Sequence, residues 1–439
     1  MKPLVRSKPM KSCIVFFLLT LIGVFWALSA DADEKNPTYS VITVSAAVTP
    51  PIAEYILQSI EDASKTDADG LIIRLDTPGG LDLAMRDIAK GILNASVPVI
   101  VYVSPAGARA ASAGVIITVA AHVAVMAPGT NIGAAHPVAI GIGGGMDKTM
   151  MEKVENDAVA YVIGIAKKRN RNEEWVEKAV RESKSIPAEE ALRFKVIDFM
   201  AEDLNSLLLQ ADGRKVTLPS GERILKTKGA ILLEKKMGTR LRILAALSDP
   251  NIAYILFLLG LAGLYFEFSH PGAILPGIVG GISLILAFFA MQTLPVNYAG
   301  ILLILFAVAL FIAEIKVVSN GILTIGGIVS LVMGSLLLFD SPDPALRVSF
   351  KVMIPALGVI SLFFAGVISL VLKAQMRKHQ SGREGMVGDE GEAVTDIHET
   401  GKAFVHGEYW NAWSERRVER GKRVRVVQVE GLKLKIEEC

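Results

Sequence analysis

Two features of this chain could do chemistry: a hydroxyl set among residues too small to crowd it, and a pair of glycines that free backbone amides. The hydroxyl is Ser112, in Ala110-Ala111-Ser112-Ala113-Gly114, and the glycines are Gly79 and Gly80, in Asp76-Thr77-Pro78-Gly79-Gly80-Leu81. Each run comes after a β-branched stretch, 71–75 or 97–103, and precedes a helix-like one. Glycines at a strand-to-helix turn let N–H groups approach a ligand closely. A nucleophile beside free amide donors is the kernel of an acyl-transfer site. Ser112 alone also suits a small-residue seam between packed helices; the glycine turn upstream raises acyl transfer above that reading.

A serine hydroxyl needs a base to attack a carbonyl. Two candidates lie downstream of it in the chain, His136 and Lys153, the latter on a helix predicted over 148–168. On a helical wheel Met150, Val154, Ala158, Tyr161 and Ile165 form the apolar stripe. Lys153 falls roughly 60° beyond one edge of it and Lys148 roughly 80° beyond the other, so the wheel favours Lys153 only slightly. A lysine acting near neutral pH needs its pKa brought down from about 10.4 to about 7–8, a shift that burial can supply. Against this, Lys153 with Asp157 four residues on is also the pattern of an ordinary surface pair. The glycine loop 141–145 and the residues after it fail as a phosphate loop, because Asp147 replaces the glycine before Lys148 and no suitable strand precedes. It reads instead as a loop bordering a substrate groove. No His/Cys/Asp/Glu cluster has ligand spacing, so neither a metal nor a cofactor is expected.

The elements that must position these residues alternate. Strands are predicted over 40–44, 71–75, 97–103 and 122–126, with helices over 52–63, 81–93 and 110–120, the pattern of a parallel sheet covered by helices. Helices over 148–168, 173–181 and 187–194 then lead to a strand-like 196–200. At 439 residues the chain is too long for one ordinary domain, and a net charge of +2 offers no basic excess for nucleic acid. Hydrophobic residues make up 51% and mean hydropathy is +0.45, an excess concentrated in particular zones. Lys2, Arg6, Lys8 and Lys11 precede an apolar run over 14–28, and Ala30-Asp31-Ala32 offers a cleavage site. This is the layout of a signal peptide over 1–32, or of an uncleaved anchor; either exports the domain C-terminal to it. Cys13 precedes the apolar run and is no lipoprotein cysteine, so removal of the signal leaves Cys439 without an intramolecular partner.

Apolar stretches near 252–268, 274–291, 301–315, 322–339 and 353–372 approach the ~20 residues of a bilayer crossing. Five crossings starting outside end inside, where Lys373, Arg377, Lys378 and Arg383 satisfy the positive-inside rule. Lys235, Lys236, Arg240 and Arg242, before the first stretch, do not, and four crossings would move the tail across. Glu267 and Glu314, at stretch ends, read as interfacial rather than as an ion path. Gly277, Gly280 and Gly281, with Gly321, Gly326 and Gly327, suit a compact helix bundle. The tail 385–439 has five strand-like runs punctuated by glycines, the pattern of a small OB-like barrel. Its Trp410 and Trp413 lie three apart on one strand and should face opposite ways, one filling the core.

Asp76-Thr-Pro-Gly-Gly-Leu81, Ala110-Ala-Ser-Ala-Gly114 and Ala127-Pro-Gly-Thr-Asn-Ile-Gly-Ala134 together resemble the long-form NfeD membrane serine proteases, of the clan of Clp protease and signal peptide peptidase A. The resemblance covers nearly the whole chain. It implies an α/β Clp/crotonase-like protease domain over 38–228, an amphipathic linker over 229–250, an α-helical membrane bundle of about five helices over 251–373, and an all-β OB-like domain over 385–439. Lys153-Val-Glu-Asn-Asp157 stands where that family carries its catalytic lysine. A Ser112–Lys153 dyad is thus implied, with oxyanion donors at Gly80 and Ala113 and with Gly79, Leu81 and His136 along the groove. His136 falls where the Clp histidine sits, but the position of that triad's aspartate falls near Ser183, beside Glu182. Pro187-Ala-Glu-Glu-Ala191 and Val196-Ile-Asp198 match the segment that ends the fold. The implied substrate is a hydrophobic segment of a membrane protein. Implied partners are a stomatin- or flotillin-like protein, the lipid bilayer and further copies of the chain as a homo-oligomer, with no nucleic acid. The location implied is a bacterial-type plasma (inner) membrane, crossed several times, with the protease domain outside the cytoplasm and the barrel within. A non-catalytic scaffold of membrane microdomains is the rival from another class. A carboxyl-activating crotonase-type enzyme would need acyl-CoA, which export disfavours.

Overall fold

The computed structural model describes residues 36–66, 68–138, 148–269, 274–317, 319, 321–339, 341, 346–375 and 385–439. The signal expected over 1–32, the glycine loop, and Arg377, Lys378 and Arg383 lie outside these. The chain divides into two compact units, Met1–Val308 with Ser330–Ala356, and Ala309–Val329 with Leu357–Cys439.

In the first unit β1 (Thr38–Ser45), α1 (Pro50–Lys65), β2 (Gly70–Asp76), α2 (Asp82–Leu93) and β3 (Val99–Val103) alternate. Then come β4 (Arg109–Ala111), α3 (Ala113–Ala120), β5 (Val123–Met126), β6 (Asn131–Gly133), α4 (Lys148–Lys168), α5 (Glu173–Arg181), β7 (Ser185–Pro187), α6 (Ala188–Arg193), β8 (Phe199–Met200) and α7 (Leu204–Ala211). A hairpin of β9 (Lys215–Leu218) and β10 (Gly221–Ile224) precedes β11 (Ile231–Glu234) and α8 (Thr239–Leu247). The main sheet runs β11-β1-β2-β3-β5-β8, parallel throughout. Successive side chains enter opposite cores. Ile42, Val44, Ile73, Leu75, Val101 and Val103 meet the helices on one face, whereas Tyr39, Val41, Ile72, Ile100 and Tyr102 meet Leu207 and Leu208 on the other. Burial on both faces is why these strands read as continuous apolar runs rather than alternating ones.

The helix expected over 110–120 begins only at Ala113, because Arg109–Ala111 joins a second sheet, β4-β6-β7. Only Phe199–Met200 of the strand-like 196–200 pairs as a strand. Within 229–250, Ile231–Glu234 is the edge strand beside β1, and Leu241 of α8 enters the first core. Two of the cations that break the charge rule are explained by pairing with α1: Lys235 lies 3.5 Å from Asp62 and Arg240 2.8 Å from Glu54.

Each apolar stretch forms one helix: α9 (Pro250–Ser269), α10 (Ile274–Met291), α11 (Tyr298–Lys316), α12 (Ile322–Leu337) and α13 (Phe350–Gln375). Among the described residues, α9 and α10 are long and apolar enough to cross a bilayer. In the first unit α9 and α10 touch backbone to backbone: a Cβ on Gly263 would lie 2.6 Å from the Gly280 Cα, the small-residue contact that packs helices in lipid. In the second unit Phe311 stacks on Phe364 at 3.8 Å. There the Glu314 carboxylate accepts the Gly321 and Thr324 N–H groups and the Ser319 hydroxyl, capping the start of α12. Also in this unit, β12 (Glu390–Ala393), β13 (Gly401–Val405), β14 (Glu408–Trp413), β15 (Arg423–Glu430) and β16 (Lys433–Glu438) close a barrel in the order β12-β13-β14-β16-β15. Trp410 packs on its core, and the Trp413 ring lies 5.0 Å from the Lys435 ammonium.

Candidate active site

The glycine turn and the serine run are one hydrogen-bonded assembly. Where β2 ends, the Asp76 carboxylate accepts the Arg109 N–H at 3.0 Å. The next residue, Thr77, is fully buried; its N–H donates to the Arg109 carbonyl and its carbonyl accepts the Ala111 N–H. The Thr77 hydroxyl in turn donates to the Gly79 carbonyl at 3.1 Å. The strand that delivers Ser112 is therefore stitched to the turn that delivers Gly80. Gly114 makes this fit possible, since a Cβ there would stand 2.7 Å from the Thr77 Cγ2.

Val48 decides which way the turn's amides point. It donates to the Gly79 carbonyl at 2.7 Å and accepts the Leu81 N–H at 2.8 Å. Alternation along an extended backbone turns the intervening Gly80 N–H to the other side, where Gly80 lines a cavity. Gly79 and Leu81, expected along the groove, are tied to Val48 and are not among the described residues lining that cavity.

Ser112 caps α3 with φ 49° and ψ −112°, a backbone region that non-glycine residues rarely occupy. Such strain costs about 1–3 kcal/mol and persists only where the surroundings enforce it. Here the Ser112 N–H is held by the Gly133 carbonyl at 3.0 Å, and all eight residues of α3 are buried behind it. Gly133 is itself wedged in place: a Cβ on it would lie 2.2 Å from the Lys184 carbonyl. The Ala113 N–H, first in the helix, has no intrahelical acceptor and sits at the positive end of the helix dipole.

Gly80, Ser112, Ala113, His136 and Lys153 all line one cavity of about 590 Å³. Lys153 arrives there because α4 is rotated from the expected wheel. Its buried residues are Val159, Val162, Ile165 and Ala166, while Met150 and Val154 are 49% and 38% exposed. The first half of α4 overhangs the cavity, so Val154 is wall, and Ala158 and Tyr161 line the cavity while packing on the edge of the core. The surface pair between Lys153 and Asp157 does not form; the Asp157 carboxylate lies 2.5 Å from the Arg86 guanidinium. The His136 Nδ1 is 2.9 Å from the Val180 carbonyl. A carbonyl can only accept, so Nδ1 is the donor of this bond.

Among the wall residues that sequence reasoning missed are Arg86, Tyr161 as a polar participant, and Leu346. Arg86 could have been noticed as the i+4 partner of Asp82. Leu346 gave no signal, since only the fold brings that buried residue, just before α13, to the site. Burial works against the Arg86 charge, but Asp82 and Asp157 outweigh it and hold its pKa above the ordinary value. Burial also raises the Tyr161 phenol, which stays protonated at neutral pH.

A parallel α/β domain with a strained serine at a helix start beside a glycine turn, followed by apolar helices and a closed barrel, defines a membrane-bound protein with a Clp-like protease fold. Family models match in chain order: the NfeD1b N-terminal domain over 38–214, the NfeD integral membrane domain over 251–370, and the NfeD-like C-terminal, partner-binding domain over 383–438. The chain is 33% identical over 430 residues to the membrane-bound protease PH1510 of Pyrococcus horikoshii, covering 95% of this chain and 96% of that one. It is 28% identical over 449 residues to membrane protein NfeD1b of Bacillus subtilis, covering 96% and 97%. The solved 1510-N membrane protease specific for a stomatin homolog, from Pyrococcus horikoshii, is 30% identical over 48% of this chain and 99% of its own, with a TM-score of 0.42. This chain belongs to the NfeD family.

Proposed function

We propose that the chain is a membrane-anchored serine endopeptidase in which Ser112 is the nucleophile and Lys153 the base. Ser112 Oγ attacks the peptide carbonyl while its proton passes to the Lys153 amine. The carbonyl electrons move onto oxygen, which the Gly80 and Ala113 N–H groups receive. Collapse breaks the C–N bond as Lys153 returns the proton to the leaving amine, and water then releases the acyl group by the same route. The observation that carries this reading is that one cavity holds the serine, the lysine and both amide positions. His136 is the weaker base because a backbone carbonyl orients it where a triad has a carboxylate.

The cavity rim supports a hydrophobic substrate, with Leu83 78% exposed and Val138 and Val154 also exposed on its lining. The stomatin-homolog specificity of the Pyrococcus relative and the match of the tail to a partner-binding domain support a stomatin-like partner. With a signal over 1–32 and five crossings, the protease domain faces away from the cytoplasm and the barrel inward. The test replaces Ser112, Lys153 and His136 by alanine in the full chain and measures cleavage of a hydrophobic peptide. Ser112→Ala and Lys153→Ala should be inert and folded, with His136→Ala substantially active. An active Lys153→Ala beside an inert His136→Ala refutes the dyad. Absence of fluorophosphonate labelling at Ser112 in the native protein would favour the scaffold reading.

A further inference from the structure

We propose that Arg86 is a positioning residue for the base, holding the lysine-bearing turns of α4 over the cavity and keeping Asp157 from pairing with Lys153. This rests on the Ser112–Lys153 reading. No residue of α4 before Val159 is buried among the described residues, so the core does not fix the turns that carry Lys153. Two arginines from neighbouring helices hold them instead. From α5, Arg181 reaches Glu155 at 3.0 Å and Asn156 at 3.1 Å. From α2, Arg86 places Nε 2.8 Å from Asp82 and its terminal nitrogen 2.5 Å from Asp157, with its guanidinium 4.5 Å above the Tyr161 ring.

Arg86 also sets the charge around the cavity. The charged or titratable side chains on its wall are Asp82 and Arg86 from α2, His136 from the segment after β6, and Lys153, Asp157 and Tyr161 on α4. Asp157 lies one helical turn from Lys153, the spacing at which a carboxylate takes an ammonium and keeps it protonated. A base must instead be neutral when the serine attacks. By binding Asp157, the guanidinium removes that competitor and puts a positive charge on the same wall. Its fork can grip two carboxylates at once while its plane stacks on Tyr161, which a lysine ammonium cannot do.

The test measures the rate of Ser112 labelling by an alkyl fluorophosphonate, from about pH 6 to pH 10, in full-length protein in detergent micelles. In this reaction Ser112 Oγ displaces fluoride from phosphorus and its proton goes to the base, so the rate reports the base without a known substrate. Arg86→Ala should lower the plateau about tenfold or more and move the midpoint of the rising limb up by about one pH unit as Asp157 turns to Lys153. Arg86→Ala with Asp157→Asn should restore the midpoint and leave the plateau low. Arg86→Lys, which keeps a charge but not the fork, should move the midpoint part of the way and covers the case of an unstable alanine variant. An unshifted midpoint in every Arg86 variant, beside an inert Lys153→Ala, overturns the role of Arg86 and spares the dyad. Wild-type labelling of Lys153→Ala overturns the dyad, and the role of Arg86 with it.

Discussion

Gly80→Ala tests the oxyanion assignment most directly, because the added methyl meets backbone that cannot retreat. The new Cβ would stand 2.2 Å from the Val48 oxygen and 2.5 Å from its nitrogen. Val48 is fully buried in the core and cannot retreat, so the turn must move off it. Reaching even the tightest contact a Cβ tolerates, about 3.0 Å, displaces the Gly80 N–H by roughly 0.8 Å, the scale at which misplacement costs on the order of 100-fold. Losing one oxyanion donor costs about 100- to 1,000-fold in kcat, or about 2.7–4 kcal/mol. The same overpacking should lower stability by about 1–3 kcal/mol. Peptide cleavage and thermal unfolding of the full chain separate the two effects: kcat should collapse with KM little changed, in protein that still unfolds cooperatively. Gly213→Ala is the control, since its φ of +73° carries backbone strain but nothing lies within 4 Å of the new Cβ. Its cost of about 1–2 kcal/mol should appear in stability alone. A folded Gly80→Ala within threefold or so of wild-type kcat would refute the donor role.

Burial and charge set other expectations. Arg171, with a side chain 3% exposed, donates to the Val119, Ala121 and Val196 carbonyls and pairs with Asp198. Arg171→Ala should cost about 3–5 kcal/mol in denaturant unfolding; a loss under about 1 kcal/mol would show that the staple is dispensable. His122 is buried with Nε2 unpartnered, and burial, reinforced by Arg169 and Lys168, lowers its pKa to about 3. The unfolded chain then binds the proton first, so stability is full above the ordinary value of 6.5 and falls by up to about 1.4 kcal/mol per pH unit as pH drops from 6.5 toward 3. His122→Asn should flatten that slope in unfolding measured across pH. In the barrel, Trp410→Ala should cost about 3–5 kcal/mol and Trp413→Ala, which loses the cation–π contact with Lys435, about 1 kcal/mol or less. Salt-dependent, sub-micromolar binding of single-stranded oligonucleotides by residues 385–439 would contradict the absence of nucleic acid as a partner.

Composition and local pattern determined the outline of this protein. The β-branched runs 71–75 and 97–103 had to be strands buried on both faces, and α1, α2 and α4 arise from apolar periodicity. The five barrel strands are legible because glycines punctuate short alternating runs. Ser112 and the Gly79-Gly80 turn could be singled out from the sequence because a small-residue hydroxyl and a glycine turn are chemical requirements visible in one dimension, whereas the choice of Gly80 as a donor came from the family resemblance. Tertiary structure decided the rest, and each case turns on contacts between distant segments. Arg109–Ala111 became strand because Thr77 and β6 offer partners for its backbone groups. The wheel of α4 misplaced its buried face because half of that helix spans a cavity, which periodicity cannot report. Lys153 stands apart from Asp157 only because Arg86, on another helix, takes the carboxylate first. Local sequence sets which groups a segment carries; which of them meet depends on distant segments packing together, and no local pattern encodes that.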